Sequence, residues 1–186
     1  MKQNKKNRLN SPERFEWIPP LDICELLNIR EGMRLLDTGA GTGYFAKMLL
    51  DTVPNLTIEC LDTDPVMIKE IKEIKPANGS IIAKLTDGDH YPLDDSSIDA
   101  AYSIALFHEL KDYNTFTSEH KRVLKPGAPL LIIDWEKILE STTRGPSLEY
   151  RIDTEDVTDV LEKSGFKNIS IHRNFVYHFA VRCENI

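Results

Sequence analysis

No stretch of this 186-residue sequence approaches the roughly 18 consecutive apolar residues that a membrane-spanning helix needs. Its first residues lack the apolar core of a secretory signal. Membrane insertion is therefore not expected, and a cytoplasmic location is. Cysteine is scarce: Cys24, Cys60 and Cys183 are far apart and outside any CxxC spacing, which speaks against a disulfide framework or a cysteine zinc site. Cys24 and Cys60 sit among apolar neighbours and read as small core residues. Basic charge is also in short supply, with a net charge of −7, and an acidic chain is a poor partner for nucleic acid. The one basic cluster is Lys2, Lys5, Lys6 and Arg8; without apolar partners at helical spacing, residues 1–10 read as a flexible tail. Repeats and low-complexity tracts are missing too, so residues 11–186 are expected to form a single domain, opening with a helical segment over 11–29.

What the sequence does contain is a repeated change from short apolar runs to amphipathic segments. A strand over 34–37 ends in a glycine-rich turn, and a helix over 44–50 follows. A second strand, 56–61, leads to Asp64-Pro65, an N-cap with proline at the first helical position; Pro76 stops that helix. Further strands are expected over 80–85, 98–104 and 129–135, with a helix ending through 120–124 before the last of these. Strands separated by helices of this length argue for a parallel sheet. Leu130-Leu131-Ile132-Ile133 is apolar on both faces, as a doubly covered central strand should be. Beyond it, Asp153 or Thr154 starts a helix closed by Gly165, and strands near 168–172 and 175–182 are too close in sequence to be anything but antiparallel neighbours. The expected fold class is α/β: a three-layer αβα sandwich around a seven-stranded, mostly parallel sheet with a C-terminal antiparallel hairpin strand.

In such a sheet ligands bind beyond the carboxyl ends of the strands. Gly39, Gly41 and Gly43 form the first turn, where a ligand can approach main chain unobstructed and the following helix N-terminus favours an anionic group. The dinucleotide fingerprint would require glycine at position 44, which is Tyr44. Asp62, ending the second strand, stands where an acid accepts from ribose hydroxyls; its plainer alternative is a surface or capping carboxylate. Asp87, in Thr86-Asp87-Gly88-Asp89 after the third strand, is placed to accept from an exocyclic adenine amine, with a backbone N–H beside it for a ring nitrogen.

Together these segments resemble the class I (Rossmann-like) S-adenosylmethionine-dependent methyltransferases, and among them the ubiquinone/menaquinone-type C-methyltransferase branch. Leu35-Leu36-Asp37-Thr38-Gly39-Ala40-Gly41-Thr42-Gly43 is similar to the family's first motif. Leu61-Asp62-Thr63-Asp64-Pro65 resembles the second, Asp87-Gly88-Asp89-His90-Tyr91-Pro92-Leu93 the third, and Arg122-Val123-Leu124-Lys125-Pro126-Gly127 the turn before the fifth strand. The resemblance runs from about residue 31 to the C-terminus. It implies S-adenosyl-L-methionine as cofactor and S-adenosyl-L-homocysteine as product. It further implies that Asp37 helps hold the methionine amine, that Gly39 and Gly41 lie against the methionine portion, that Thr63 flanks the adenine, and that Ser103 lines the methionine side.

The function expected on this basis is methyl transfer to a small-molecule acceptor. The alternative is a non-catalytic S-adenosylmethionine-binding sensor or accessory protein, and a nicotinamide oxidoreductase ranks third. Ser103-Ile104-Ala105-Leu106 lacks the Asn/Asp-Pro-Pro-aromatic motif of nucleic-acid amino-methylation, in keeping with the acidic charge. His108, just beyond the fourth strand, is the candidate general base; its plainer alternative is a histidine that packs or caps a helix. Phe107, Tyr44 and Trp17 offer an aromatic wall or simple packing. Arg151 suits either an anionic acceptor or an ion pair with Glu149 or Asp153. Asp134, Trp135 and Glu136 lie at the ligand edge, without enough further oxygen ligands for a metal site. His90, His120, His172 and His178 have no metal-ligand spacing and read as structural or solvated. A homodimer remains open.

Overall fold

The computed structural model describes residues 9–138 and 144–186. Most of the expected basic tail lies outside the described residues. Two short N-terminal helices, α1 (Glu13–Trp17) and α2 (Pro20–Leu27), precede the alternating part. They are separate because Pro19 and Pro20 break the chain: Pro19 is extended, and Pro20 opens the new helix at its first position. Then follow β1 (Arg34–Thr38), α3 (Tyr44–Thr52), β2 (Thr57–Asp62), α4 (Pro65–Glu73), β3 (Ser80–Leu85), β4 (Ala100–Ile104), α5 (Tyr113–Val123), β5 (Pro129–Trp135), α6 (Thr154–Lys163), β6 (Lys167–His172) and β7 (His178–Glu184).

The strands form one seven-stranded sheet in the order β3-β2-β1-β4-β5-β7-β6. The first five are parallel, and β7 runs antiparallel between β5 and β6, as the sequence led us to expect. Alternation along each central strand sends side chains to both faces. Leu35, Tyr102 and Ile133 join a core with Ile23, Leu49 and Ile71 from the helices α2, α3 and α4. Leu36, Ala101 and Ile132 join a second core with Phe116, Val157 and Leu161 from α5 and α6. Cys24, Cys60 and Cys183 are buried free thiols.

Two strands start two or more residues later than expected. β4 begins at Ala100 because Asp99 turns aside: its carboxylate accepts from the Arg34 backbone N–H at 2.7 Å, and Ile98 makes only an isolated bridge to Leu124. The seventh strand starts at His178, since Phe175 is used as a core plug instead. The helix expected to end through 120–124 is α5, which starts at Tyr113 and is capped by Asp112, whose side chain accepts from the N–H groups of Asn114 and Thr115. α6 begins after Asp153, which makes no side-chain cap there.

Candidate active site

The strand order reverses between β1 and β4, and beyond that switch point opens a cleft of about 560 Å³. Its wall is made by the turn after β1 (Asp37, Gly39, Gly41), the end of β2 (Asp62, Thr63) and the loop after β3 (Asp87, Gly88). Backbone hydrogen bonds hold the glycine turn against β2: Gly39 and Ala40 both donate to the Leu61 carbonyl at 2.9 Å. The Asp62 carboxylate reinforces it, Oδ2 accepting from Gly41 N–H at 2.8 Å and Oδ1 from Asp64 N–H at 2.9 Å. Asp64 in turn caps α4 through Val66 N–H, the role the sequence assigned to it.

The loop after β3 is pinned from α5. Tyr91 N–H donates to Glu119, and Arg122 donates to the carbonyls of Tyr91 and Leu93. Within it, Asp87 Oδ1 accepts from Asp89 and His90 N–H groups, and these donors hold its carboxyl below the usual carboxylate range. Its Oδ2 makes no hydrogen bond among the described residues.

Asp37 is 4% exposed and accepts from the Tyr102 hydroxyl at 3.0 Å. Burial, opposed by that hydrogen bond and assisted by the nearby Asp62 charge, pushes its carboxyl up to about 7. No salt bridge reaches it among the described residues, although Arg14 in the same cleft acts on it through space.

Two expected cofactor residues do not line the cleft. Gly43, the N-cap of α3 with φ +74°, is turned away from the cleft: a Cβ there would stand 2.8 Å from Ile74 Cδ1 and 3.1 Å from Ile71 Cγ1. It allows α3 and α4 to approach. Ser103 is buried behind the wall, side by side with Thr38, and the cleft is lined instead by Ile104, Ala105 and Leu106. Thr38, the last residue of β1, lines the cleft and Ser103 does not; strand alternation sends both toward α5, on the face opposite Asp37 and Tyr102. There Thr38 meets His120, whose Nδ1 is 2.7 Å from the Phe116 carbonyl and whose Nε2 is 3.0 Å from Thr38 Oγ1. The carbonyl can only accept, so Nδ1 carries the proton and Nε2 accepts from the hydroxyl. Burial brings this imidazole down to about 4. His178 is likewise buried, against Trp135, and brought down to about 3. Both are neutral structural histidines, as expected.

Of the aromatic trio only Tyr44 lines the cleft, stacked on Phe15. Phe107 is a core residue stacked on Tyr113, and Trp17 packs edge-on against Trp135 and Tyr177. Leu9 and Arg14 from the N-terminal segment also reach the cleft.

His108 lies on a short 3₁₀ turn, Phe107–Glu109, with its side chain only 6% exposed. Its Nδ1 is 2.7 Å from Asp134 Oδ1, and its backbone N–H donates to Asp134 Oδ2 at 3.0 Å. Burial works against the imidazolium, but the hydrogen bond and charge of Asp134, with help from Glu109, outweigh it, and the group titrates above its ordinary value. The pairing with Asp134 was not foreseen. Its signal was available in the topology, since the two residues follow β4 and β5, paired Ile104 to Ile133. Arg151 pairs with neither Glu149 nor Asp153: it is buried, donates to the carbonyls of Pro146 and Glu136 and lies over the Trp135 ring. No His/Cys/Asp/Glu cluster suited to a metal occurs among the described residues, and no helix among them is long and apolar enough to cross a membrane.

The methyltransferase domain family matches residues 36–132, just over half the chain and the stretch that builds the cleft. A SAM-dependent methyltransferase from Aquifex aeolicus is 27% identical and superposes over 98% of both chains with a TM-score of 0.89. The malonyl-[acyl-carrier protein] O-methyltransferase of Methylococcus capsulatus is 32% identical over 97 residues, which are 52% of this chain and 35% of that protein. The demethylmenaquinone methyltransferase of Tropheryma whipplei is 29% identical over 112 residues, 60% of this chain and 46% of that one. This chain thus spans less than half the length of either of these two curated relatives. The chain belongs to the methyltransferase domain family. Its fold is that of the class I S-adenosylmethionine-dependent enzymes, related to the quinone-type branch, and S-adenosylmethionine is the cofactor of that class.

Proposed function

We propose that this protein transfers a methyl group from S-adenosylmethionine to a small-molecule acceptor. The observation that carries the reading is the convergence, in one cleft, of a glycine-rich turn with carboxylates from three consecutive strand ends, Asp37, Asp62 and Asp87. Each Asp62 oxygen already accepts one N–H and keeps lone-pair capacity for a ribose diol. Asp37, buried and pushed up to about 7, suits the ammonium of the methionine portion, which would favour its ionised form. Gly39 and Gly41 offer that portion open main chain, Thr63 and Gly88 flank the adenine, and Asp87 Oδ2 accepts from its amine.

When bound, the cofactor supplies an activated methyl group on sulfur. The protein's task is to align the acceptor in line with it and to exclude water. His108, held by Asp134 at the β4 and β5 ends, is the proposed base on the acceptor side. Isothermal titration with S-adenosylmethionine and S-adenosylhomocysteine tests the reading: micromolar-range binding abolished by Asp62→Ala supports it, and no heat from folded, cofactor-free protein sinks it.

A further inference from the structure

Next to the cofactor cleft lies a second cavity of about 520 Å³, bounded by His108, Tyr113, Tyr150, Arg151, Asp156 and Lys163. The turn Phe107–Glu109 divides the two: His108 lines the second cavity and Glu109 lines the cleft. Consecutive Cα atoms are about 3.8 Å apart, so the partition at this point is one residue thick. His108 Nε2 stands 3.7 Å from Glu109 Oε1, and the Glu109 side chain is 68% exposed. Asp134 is fully buried and its Oδ1 already accepts from Trp135 N–H at 2.7 Å. A carboxylate so placed fixes the imidazole proton on Nδ1 and leaves the Nε2 lone pair at the seam.

The charges around the seam have a sign. Glu149, Asp156 and Asp159 line the second cavity against Arg151 and Lys163, and on the cleft side Glu109 stands among Asp37, Asp62, Asp64, Asp87, Asp89 and Asp112 against Arg14 and Lys111; the Arg151 guanidinium is engaged by main-chain carbonyls. An anionic acceptor would meet mostly carboxylates here, whereas a cation would be drawn in. A base held above its ordinary value is useful only to an acceptor that must lose a proton before it attacks.

We propose that the seam binds the methyl acceptor as a protonated amine, with Glu109 pairing the ammonium and the His108–Asp134 pair receiving its proton. The inference rests on the methyltransferase reading and narrows its acceptor class. The ammonium gives one proton to His108 Nε2. The freed nitrogen lone pair then forms the N–C bond as the methyl carbon's bond to sulfur breaks. The products are the methylated ammonium and the neutral thioether, and His108 passes its proton to solvent. Asp134 is a positioning residue, and Glu109 selects for charge.

The test uses protein labelled with ¹³Cε1-histidine and saturated with S-adenosylhomocysteine. It is titrated with benzylamine, benzyl alcohol and benzoate while the His108 ring resonance, assigned through His108→Gln, is followed. Benzylamine is expected to shift that resonance saturably and to bind about tenfold more tightly than either isostere. Glu109→Gln, a surface change, should remove most of that preference. The pH titration of His108 is faced by Asp134 of β5, Glu109 of its own turn, Arg151 ahead of α6, Tyr113 of α5, Asp156 of α6 and His178 of β7. Against that unchanged background, Asp134→Asn should lower its midpoint. Equal binding of the three probes, no response to any, or benzylamine binding indifferent to Glu109→Gln overturns the amine assignment alone. Failure of the same sample to bind S-adenosylhomocysteine overturns the methyl-transfer reading and this inference with it.

Discussion

The cofactor cleft and the His108 cavity share the turn Phe107–Glu109 as a wall, yet they are built by opposite means. The cleft is largely backbone and short carboxylates, each at or just beyond the carboxyl end of a strand, with its glycine turn clamped by Leu61 carbonyl and Asp62 carboxylate. The cavity is made of long side chains from four separated stretches: the 3₁₀ turn, the start of α5, residues 149–152 and α6. Recognition by backbone is rigid and generic, because main-chain positions are fixed by the sheet. Recognition by side chains is adjustable. The difference explains how one fold keeps a single cofactor while its acceptor side varies.

The largest expected effect breaks the cleft and spares the cavity. Asp62→Ala removes two charge-assisted contacts to a ribose diol and the clamp on Gly41, each hydrogen bond to a charged group contributing about 1.5–3 kcal/mol. S-adenosylhomocysteine affinity by calorimetry should fall by roughly 100-fold or more, with the His108 resonance unmoved. The reciprocal change is His108→Gln. Once an acceptor is in hand, it should lower kcat by about 100-fold, as for other general bases, and leave cofactor affinity within about twofold. A large loss of cofactor affinity in His108→Gln would show that the two regions are not separable.

The same contrast decides what sequence reveals. β3 and β5 could be read to the residue, since Gly79 and the Lys125-Pro126-Gly127 turn bound them locally. The glycine turn, Asp62 and Asp87 were legible because each lies next to its strand. His108 and Asp134 are separated by 26 residues and meet only through the register of β4 with β5, so the base candidate was visible and its partner was not. Ser103 and Gly43 lie within motifs but do not line the cleft, because which face a strand residue takes, or which neighbour a glycine admits, is set by packing. Leu9 and Arg14 entered the cleft from a segment with no motif.

A smaller effect sharpens the comparison through pH. Asp37 titrates near 7 in the ligand-free protein, and a cationic cofactor selects its ionised form. Affinity should therefore rise by about tenfold between pH 6 and pH 8. Tyr102→Phe deletes the hydrogen bond that holds this pKa down and should move the rise to higher pH. On stability the sign is opposite. A carboxyl raised by folding binds more protons in the native state, so its contribution falls as pH climbs from about 4 through about 7. A pH-independent affinity across this range would remove Asp37 from the cofactor's surroundings.

The smallest effect separates two glycines of one turn. Both Gly39 and Gly43 have φ +74°, so alanine at either is strained by about 1–2 kcal/mol. At 43 the new Cβ would press on Ile74 and Ile71, outside the cleft. Gly43→Ala should thus lower Tm by about 2–8 °C with cofactor affinity changed less than about threefold. At 39 the Cβ would meet Leu106 Cδ2 at 2.8 Å, and Leu106 lines the cleft, so Gly39→Ala should add a clear loss of affinity to a similar loss of Tm. Thermal melts with calorimetry on both variants read the two effects apart. If Gly43→Ala weakened cofactor binding as much as Gly39→Ala, the third glycine would belong to the binding surface after all, and helix packing would not be the reason for it.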